Sequence, residues 1–182
     1  MIKTPVMEGA NRYQLLELLK PAPKEKTEQL AGIIDFTSPA GPSLLYVPVD
    51  QLTHVTRLLD KFGLRTIVLP DYVFISLVNQ IHQLDARILN IEFAVESPLM
   101  NQAFDAITKE HLGKNDYAGL SNFLQQIKLP IRAIQFTDGR IRIKIYGSGL
   151  IIIEGDAEVV KERVSLFFHE LSKFLWKVLA AL

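Results

Sequence analysis

The sequence predicts a mixed α+β protein. An antiparallel C-terminal sheet is backed by one long C-terminal helix, and a β-α-β-α unit precedes it. Three observations predict this. Residues 43–95 alternate between short apolar runs and segments of helical period. Residues 131–156, "IRAIQFTDGRIRIKIYGSGLIIIEGD", alternate apolar and polar positions around two glycine-bearing turns, the pattern of a meander. From Val160 to Leu179 large apolar residues recur at three- and four-residue steps, so one helix of about 35 Å is expected there.

Composition bounds the rest. At 182 residues and 48% hydrophobic, the chain is long enough for one domain or two small ones with a sizeable core. Twenty basic residues balance twenty acidic ones, so any affinity for nucleic acid would rest on a local patch. The absence of cysteine excludes disulfides and thiolate metal sites and suits a reducing, cytoplasmic setting. "MIKTPVMEGANRYQ" lacks the apolar segment of a signal peptide, and no apolar run is long enough for a membrane span. No membrane partner and no cofactor are expected.

Three parts follow from the elements. Residues 1–28 are expected to hold an N-terminal helix and a linker. "ANRYQLLELLK" (10–20) clusters four leucines and stops at Pro21, and "PAPKEKTE" (21–28) is proline-broken and charged. Residues 29–87 are expected to form a β-β-α-β-α unit. Its strands are 31–37, 43–48 and a fully buried "LRTIVLP". Asp50 caps a helix with Leu52, Val55, Leu58, Leu59 and Phe62 on one face, and Gly63 ends it. Asp71 caps the next helix. Connections this short suit parallel crossovers between residues 43 and 95.

Residues 88–182 open with the strand "ARILNIEFAVE", which could continue the first part's sheet. Ser97 then caps a helix with Pro98 at its first position and Met100, Phe104 and Ile107 on one face. "GKNDYAG" is a turn and "LSNFLQQIK" one or two helical turns. Asp156 caps the final helix.

The meander's register assigns its faces. Asp138-Gly139 suggests a two-residue type I′ turn, pairing Thr137 with Arg140, Phe136 with Ile141 and Ile134 with Ile143. The second turn could hold two residues or three. The three-residue loop Gly147-Ser148-Gly149 groups the isoleucines and sets Arg142 opposite Glu154, so it is preferred; a one-residue slip would invert both faces. One face then carries Ile134, Phe136, Ile141, Ile143, Ile145, Ile151 and Ile153, and the long helix can cover it. The other carries Gln135, Thr137, Arg140, Arg142, Lys144, Tyr146, Leu150, Ile152 and Glu154.

"YGSGLIIIEG" (Tyr146–Gly155), the helix after it and the upstream "NIEFAVESPLMNQAFDAI" resemble one half-repeat of the TATA-binding-protein fold, over about residues 88–180. The resemblance implies a curved sheet with helices behind it and a free face that lies on a DNA minor groove. It places Tyr146 as a wedge aromatic and Leu150, Ile152 and Glu154 on that face. This chain departs from the family at Leu150, where Lys is implied, and at Glu154, where Thr is implied. Residues 1–87 do not repeat the pattern.

Other chemistry is sparse. Lys128, Arg132, Arg140, Arg142 and Lys144 against Asp138 leave a local charge of +4, which would serve an anionic contact or a solvated sheet face. His54, His82, His111 and His169 lie on separate expected helices without ligand spacing, so no metal site is expected. Asp35 and Glu92 lie within expected strands and could face a crevice. No nucleophile elbow or phosphate loop is present.

Two functions compete. The first is a non-enzymatic interaction or regulatory module. It would use Arg140, Arg142, Lys144, Tyr146, Leu150 and Ile152 to bind a protein partner, its own copy in a homodimer, or nucleic acid. The second is a small-molecule sensor or enzyme with a cavity between the sheet and the long helix.

Overall fold

The computed structural model describes residues 10–20, 34–37, 43–81 and 85–179. Eight strands form one sheet: β1 (Ala10–Leu18), β2 (Ile34–Thr37), β3 (Ser43–Pro48), β4 (Leu64–Thr66), β5 (Arg87–Phe93), β6 (Ile131–Thr137), β7 (Arg142–Tyr146) and β8 (Leu150–Glu154). Among the described residues five α-helices accompany them: α1 (Leu52–Leu59), α2 (Asp71–Gln80), α3 (Pro98–Gly113), α4 (Tyr117–Ile127) and α5 (Ala157–Leu179). The strand order is β2-β3-β1-β8-β7-β6-β5, and β4 also pairs with β1. Among the described residues every pairing is antiparallel. The fold is therefore α+β, and the parallel crossovers expected between residues 43 and 95 are absent.

The N-terminal segment is a strand, not a helix. The leucine cluster fits a helical stripe, but tertiary contacts use it differently. Leu15 is fully buried on the face that carries α5, whereas Leu16 and Leu18 are buried against Val55 and Leu59 of α1. A central strand covered on both faces reads as a run of leucines, much as a short helix does. The linker expected at 21–28 and the start of the strand expected at 31–37 lie outside the described residues.

Strand β4 is short and largely exposed, and of the residues after it Val68 is 72% exposed. It is not the fully buried strand expected. Asp50 lies in a 3₁₀ turn ahead of α1 and caps nothing with its side chain. Leu52, Val55, Leu58, Leu59 and Phe62 do share the face packed on the sheet, and Gly63 closes the segment at φ +77°. Asp71 is the first residue of α2 and not its cap. Its Oδ1 accepts a hydrogen bond of 2.8 Å from the Ile131 N–H, which ties α2 to β6.

Ser97 caps α3, with Pro98 in its first turn. The expected apolar face is rotated: Met100 is 45% exposed and Ile107 37%, while Thr108 is buried and Phe104 packs between Phe93 and Phe123. The turn expected at "GKNDYAG" already contains the start of α4. Asp116 caps that helix by accepting from the Gly119 N–H at 2.9 Å. An added Cβ at Gly119 would lie 2.1 Å from the same carboxylate, so a larger residue there would push the Asp116 side chain aside.

One face of the sheet holds the main core. Ile134, Phe136, Ile143, Ile145, Ile151 and Ile153 are each at most 2% exposed and meet α2, α4 and α5. Helix α5 crosses this face with the expected stripe. The Phe168 ring stacks on Tyr46 at 4.0 Å and meets Tyr13 edge-on at 4.9 Å. Burying such a ring contributes about 1.5–3 kcal/mol. Lower on the helix Ser172 and the Tyr46 hydroxyl share a 2.7 Å hydrogen bond. That phenol is pushed well above its ordinary pKa by burial, against the opposing effect of the hydrogen bond. Asp156 caps α5 through the Glu158 and Val159 N–H groups.

Candidate functional site

The opposite face is built by register. Strands β7 and β8 pair Arg142 with Glu154, Lys144 with Ile152 and Ile145 with Ile151, around the expected three-residue loop. Gly149 sits at φ +77° and donates to the Tyr146 carbonyl at 2.9 Å. The turn from β6 to β7 departs from expectation. Thr137 pairs with Arg142 and Phe136 with Ile143, so four residues, 138–141, form the connection. Of the Asp138-Gly139 pair, Gly139 alone has positive φ, whereas a type I′ turn needs both. Instead the Asp138 carboxylate accepts from the Arg140 and Ile141 N–H groups and pairs with Arg163. The register moves by two residues, an even number, so every side chain that stays within the strands keeps its expected face.

Three rows of side chains result. One runs Arg87, Thr137, Arg142 and Glu154 across β5 to β8. The next runs Asn90, Gln135, Lys144, Ile152 and then Arg12 of β1. The last includes Glu92, Ala133 and Tyr146, with Leu150 opposite Gln14 of β1. Helix α1 covers this side of the sheet over Leu16, Leu18, Leu45 and Val47, and among the described residues no helix packs over the three rows. Tyr146, Leu150, Ile152 and Lys144 are half-buried, while Arg12, Arg87 and Arg142 are exposed.

The expected site residues thus divide. Tyr146, Leu150 and Ile152 come together with Arg142 and Lys144 on this face. Arg140 is exposed in the β6–β7 turn at its rim, since the longer turn takes it out of the strands. Lys144 is already engaged: its Nζ lies 2.6 Å from Glu92 Oε1 and 4.9 Å from the Tyr146 ring centroid. Burial pulls this ammonium down, but hydrogen bonds and charge from Glu92 and Tyr146 outweigh it, so its pKa stands above the ordinary lysine value. Arg142 faces Glu154 in register, yet no ion pair joins them. Arg12 and Arg87 were not expected here. A helical reading of residues 10–20 hides Arg12, and Arg87 joins the face only through pairing of β5 with β6.

The remaining candidates separate. Lys128 ends α4 and Arg132 falls at a register irregularity of β5 and β6, so neither joins the rows. Asp35 lies on β2 and Glu92 on β5, at opposite ends of the strand order and six strand spacings, about 29 Å, apart along the sheet. His111 Nδ1 lies 2.9 Å from Asp116 Oδ2 and closes the α3–α4 corner. His54 and His169 are exposed, and His82 lies outside the described residues. Among the described residues no cluster of His, Asp and Glu has the makings of a metal site, and no helix is long and apolar enough to cross a membrane.

On the core side, a cavity of about 220 Å³ opens between α5 and the β6–β7 end of the sheet. Phe136, Ile143 and Phe167 line it, with Asp138 and Arg163 at its rim. A larger recess of about 520 Å³ lies between β4 and Trp176, walled by the Arg65–Glu17 ion pair.

Comparison with known protein families, with curated proteins and with solved structures finds no match to this chain.

Proposed function

We propose that this protein is a non-enzymatic interaction module of a regulatory or complex-forming kind, acting through the open face of β5, β6, β7, β8 and β1. One observation carries this reading: half-buried Tyr146, Leu150 and Ile152 lie among exposed arginines on a face that no helix covers among the described residues. Apolar groups ringed by charge mark contact surfaces more than solvated sheet faces do. The cysteine-free composition supports a cytoplasmic setting. The element order β5-α3-α4-β6-β7-β8-α5, whose own helices pack on the core face, supports the likeness to a TATA-binding-protein half-repeat. Strands β1 and β3 continue the sheet beyond β8.

The test is binding with and without Arg142→Glu. Light scattering over a range of concentrations reads self-association, and a salt titration of labelled DNA reads phosphate binding, which weakens steeply with salt. A charge reversal that changes neither these nor capture of any protein partner rejects the face.

A second reading rests on the cavity beneath α5. Its apolar floor of Phe136, Ile143 and Phe167 supports a small-molecule sensor or enzyme. Ile143→Trp would fill it, and a ligand that binds wild type and this variant equally would exclude the cavity.

A further inference from the structure

We propose that the open face receives an acidic amphipathic helix of a partner protein, lying along β8; this rests on the interaction-module reading and narrows it. Along β8, Leu150 and Ile152 are two residues apart and point to the same side. Tyr146 of β7 extends this apolar strip toward β6. On one flank stands Arg12 of β1, directly opposite Ile152. On the other stands Arg142 of β7, in the row next to Ile152. The two arginines are on strands two spacings apart, about 10 Å. An α-helix with its side chains is about 10–12 Å across. A helix centred on β8 therefore sets its apolar stripe on Leu150, Ile152 and Tyr146 while its flanks reach both guanidinium groups.

The charges select an acidic helix. Arg12 and Arg142 are exposed and, among the described residues, have no ion pair. Lys144 is taken by Glu92, with its Nζ over the Tyr146 ring. The face therefore offers two free arginines astride an apolar strip, which paired Asp or Glu side chains complement. Nucleic acid fits less well. Phosphates gain nothing from Leu150 and Ile152, which an amphipathic helix buries; Glu154 beside Arg142 opposes the negative charge of either ligand, so the apolar strip makes the choice. Helix α1 bounds the strip, since Leu16 and Leu18 further along β1 lie beneath it.

The experiment measures fluorescence anisotropy of a labelled amphipathic peptide of about 18 residues, with leucines at three- and four-residue steps and flanking glutamates. A counterpart with lysine for glutamate and a single-stranded DNA oligonucleotide are run beside it. The acidic peptide is expected to bind. Its affinity should fall about tenfold or more in the Arg12→Glu/Arg142→Glu variant, which should then prefer the lysine peptide. Both positions are exposed, and an unchanged thermal melt verifies the variant's fold. No binding of the acidic peptide at about 1 mM, or binding indifferent to the double reversal, overturns the proposal. DNA binding or self-association lost in that variant, with the peptide silent, overturns the acidic helix but keeps the interaction face. Silence of all three probes, with no self-association and no protein capture that the double reversal abolishes, overturns both.

Discussion

At Gly149 the chain turns at φ +77°, and an added Cβ would lie 2.5 Å from the Ile67 carbonyl oxygen and 3.3 Å from that of Leu15. Gly139 also has positive φ, at +89°, but nothing lies within 4 Å of its added Cβ. Gly139→Ala should therefore cost only left-handed strain, about 1–2 kcal/mol. Gly149→Ala should cost about 3 kcal/mol or more, because the clash adds to that strain. Urea midpoints of the two variants make the comparison; equal losses would contradict the close approach of the Ile67 and Leu15 carbonyls to the β7–β8 loop. The Asp138 carboxylate is held in its charged form. Burial raises its pKa, but the backbone donors of Ile141 and Arg140 and the Arg163 charge outweigh it, so the folded value lies below the ordinary one. A depressed carboxylate contributes stability that is present above the unfolded pKa and lost as pH falls through the folded value. Between about pH 5 and pH 2, Asp138→Asn should lose less stability than wild type does. Lys144 runs the other way. Its raised folded pKa stabilises below the ordinary value of 10.5, and that contribution disappears as pH rises through the folded value. Glu92→Gln should flatten the alkaline loss, as read by unfolding at high pH.

Helix α5 shows how an element's sequence pattern becomes energy. Phe168 is fully buried between Tyr46 and Tyr13, while Leu166, two residues away, is 63% exposed. Phe168→Ala should cost about 3–5 kcal/mol, and Leu166→Ala should stay within about 0.5 kcal/mol. Similar unfolding midpoints for both would contradict the placement of the helix. The stripe of α5 was legible because three- and four-residue periodicity over 23 residues has no competing strand reading. The β6–β7 turn was less legible. Asp-Gly suits type I′, but the Asp138 side chain replaces that turn with its own hydrogen bonds and an ion pair to Arg163. Arg163 lies on α5, so the turn's length depends on a residue 25 positions away. The faces survived because the register moved by an even number.

Across the whole molecule β1 is the strand on which the sheet depends. It pairs with β3 along one side and with β8 and then β4 along the other. Removing residues 1–18 should abolish cooperative thermal unfolding by circular dichroism, since β3 and β8 would lose their shared neighbour. A truncated chain that melts cooperatively near the wild-type midpoint would show β1 to be peripheral. Arg12 and Gln14 also enter the open face through this strand, so the face and the stability of the sheet share one element.

Local pattern was enough for the α+β class, the alternation of β6, β7 and β8, the Gly149 loop and the covering helix α5. Each follows from periodicity or turn chemistry within a window of a few dozen residues. It also placed Arg142, Lys144, Tyr146, Leu150 and Ile152 on one face, because strand alternation is local. Long-range packing made residues 10–18 a central strand, placed β5 at the end of the described sheet, and tied Lys144 to Glu92 while leaving Arg12 and Arg87 exposed. Leucines at 15, 16 and 18 satisfy a helix and a doubly buried strand equally well. The choice between them is made by β3 and β8, which lie far along the chain and leave no signal in the local pattern.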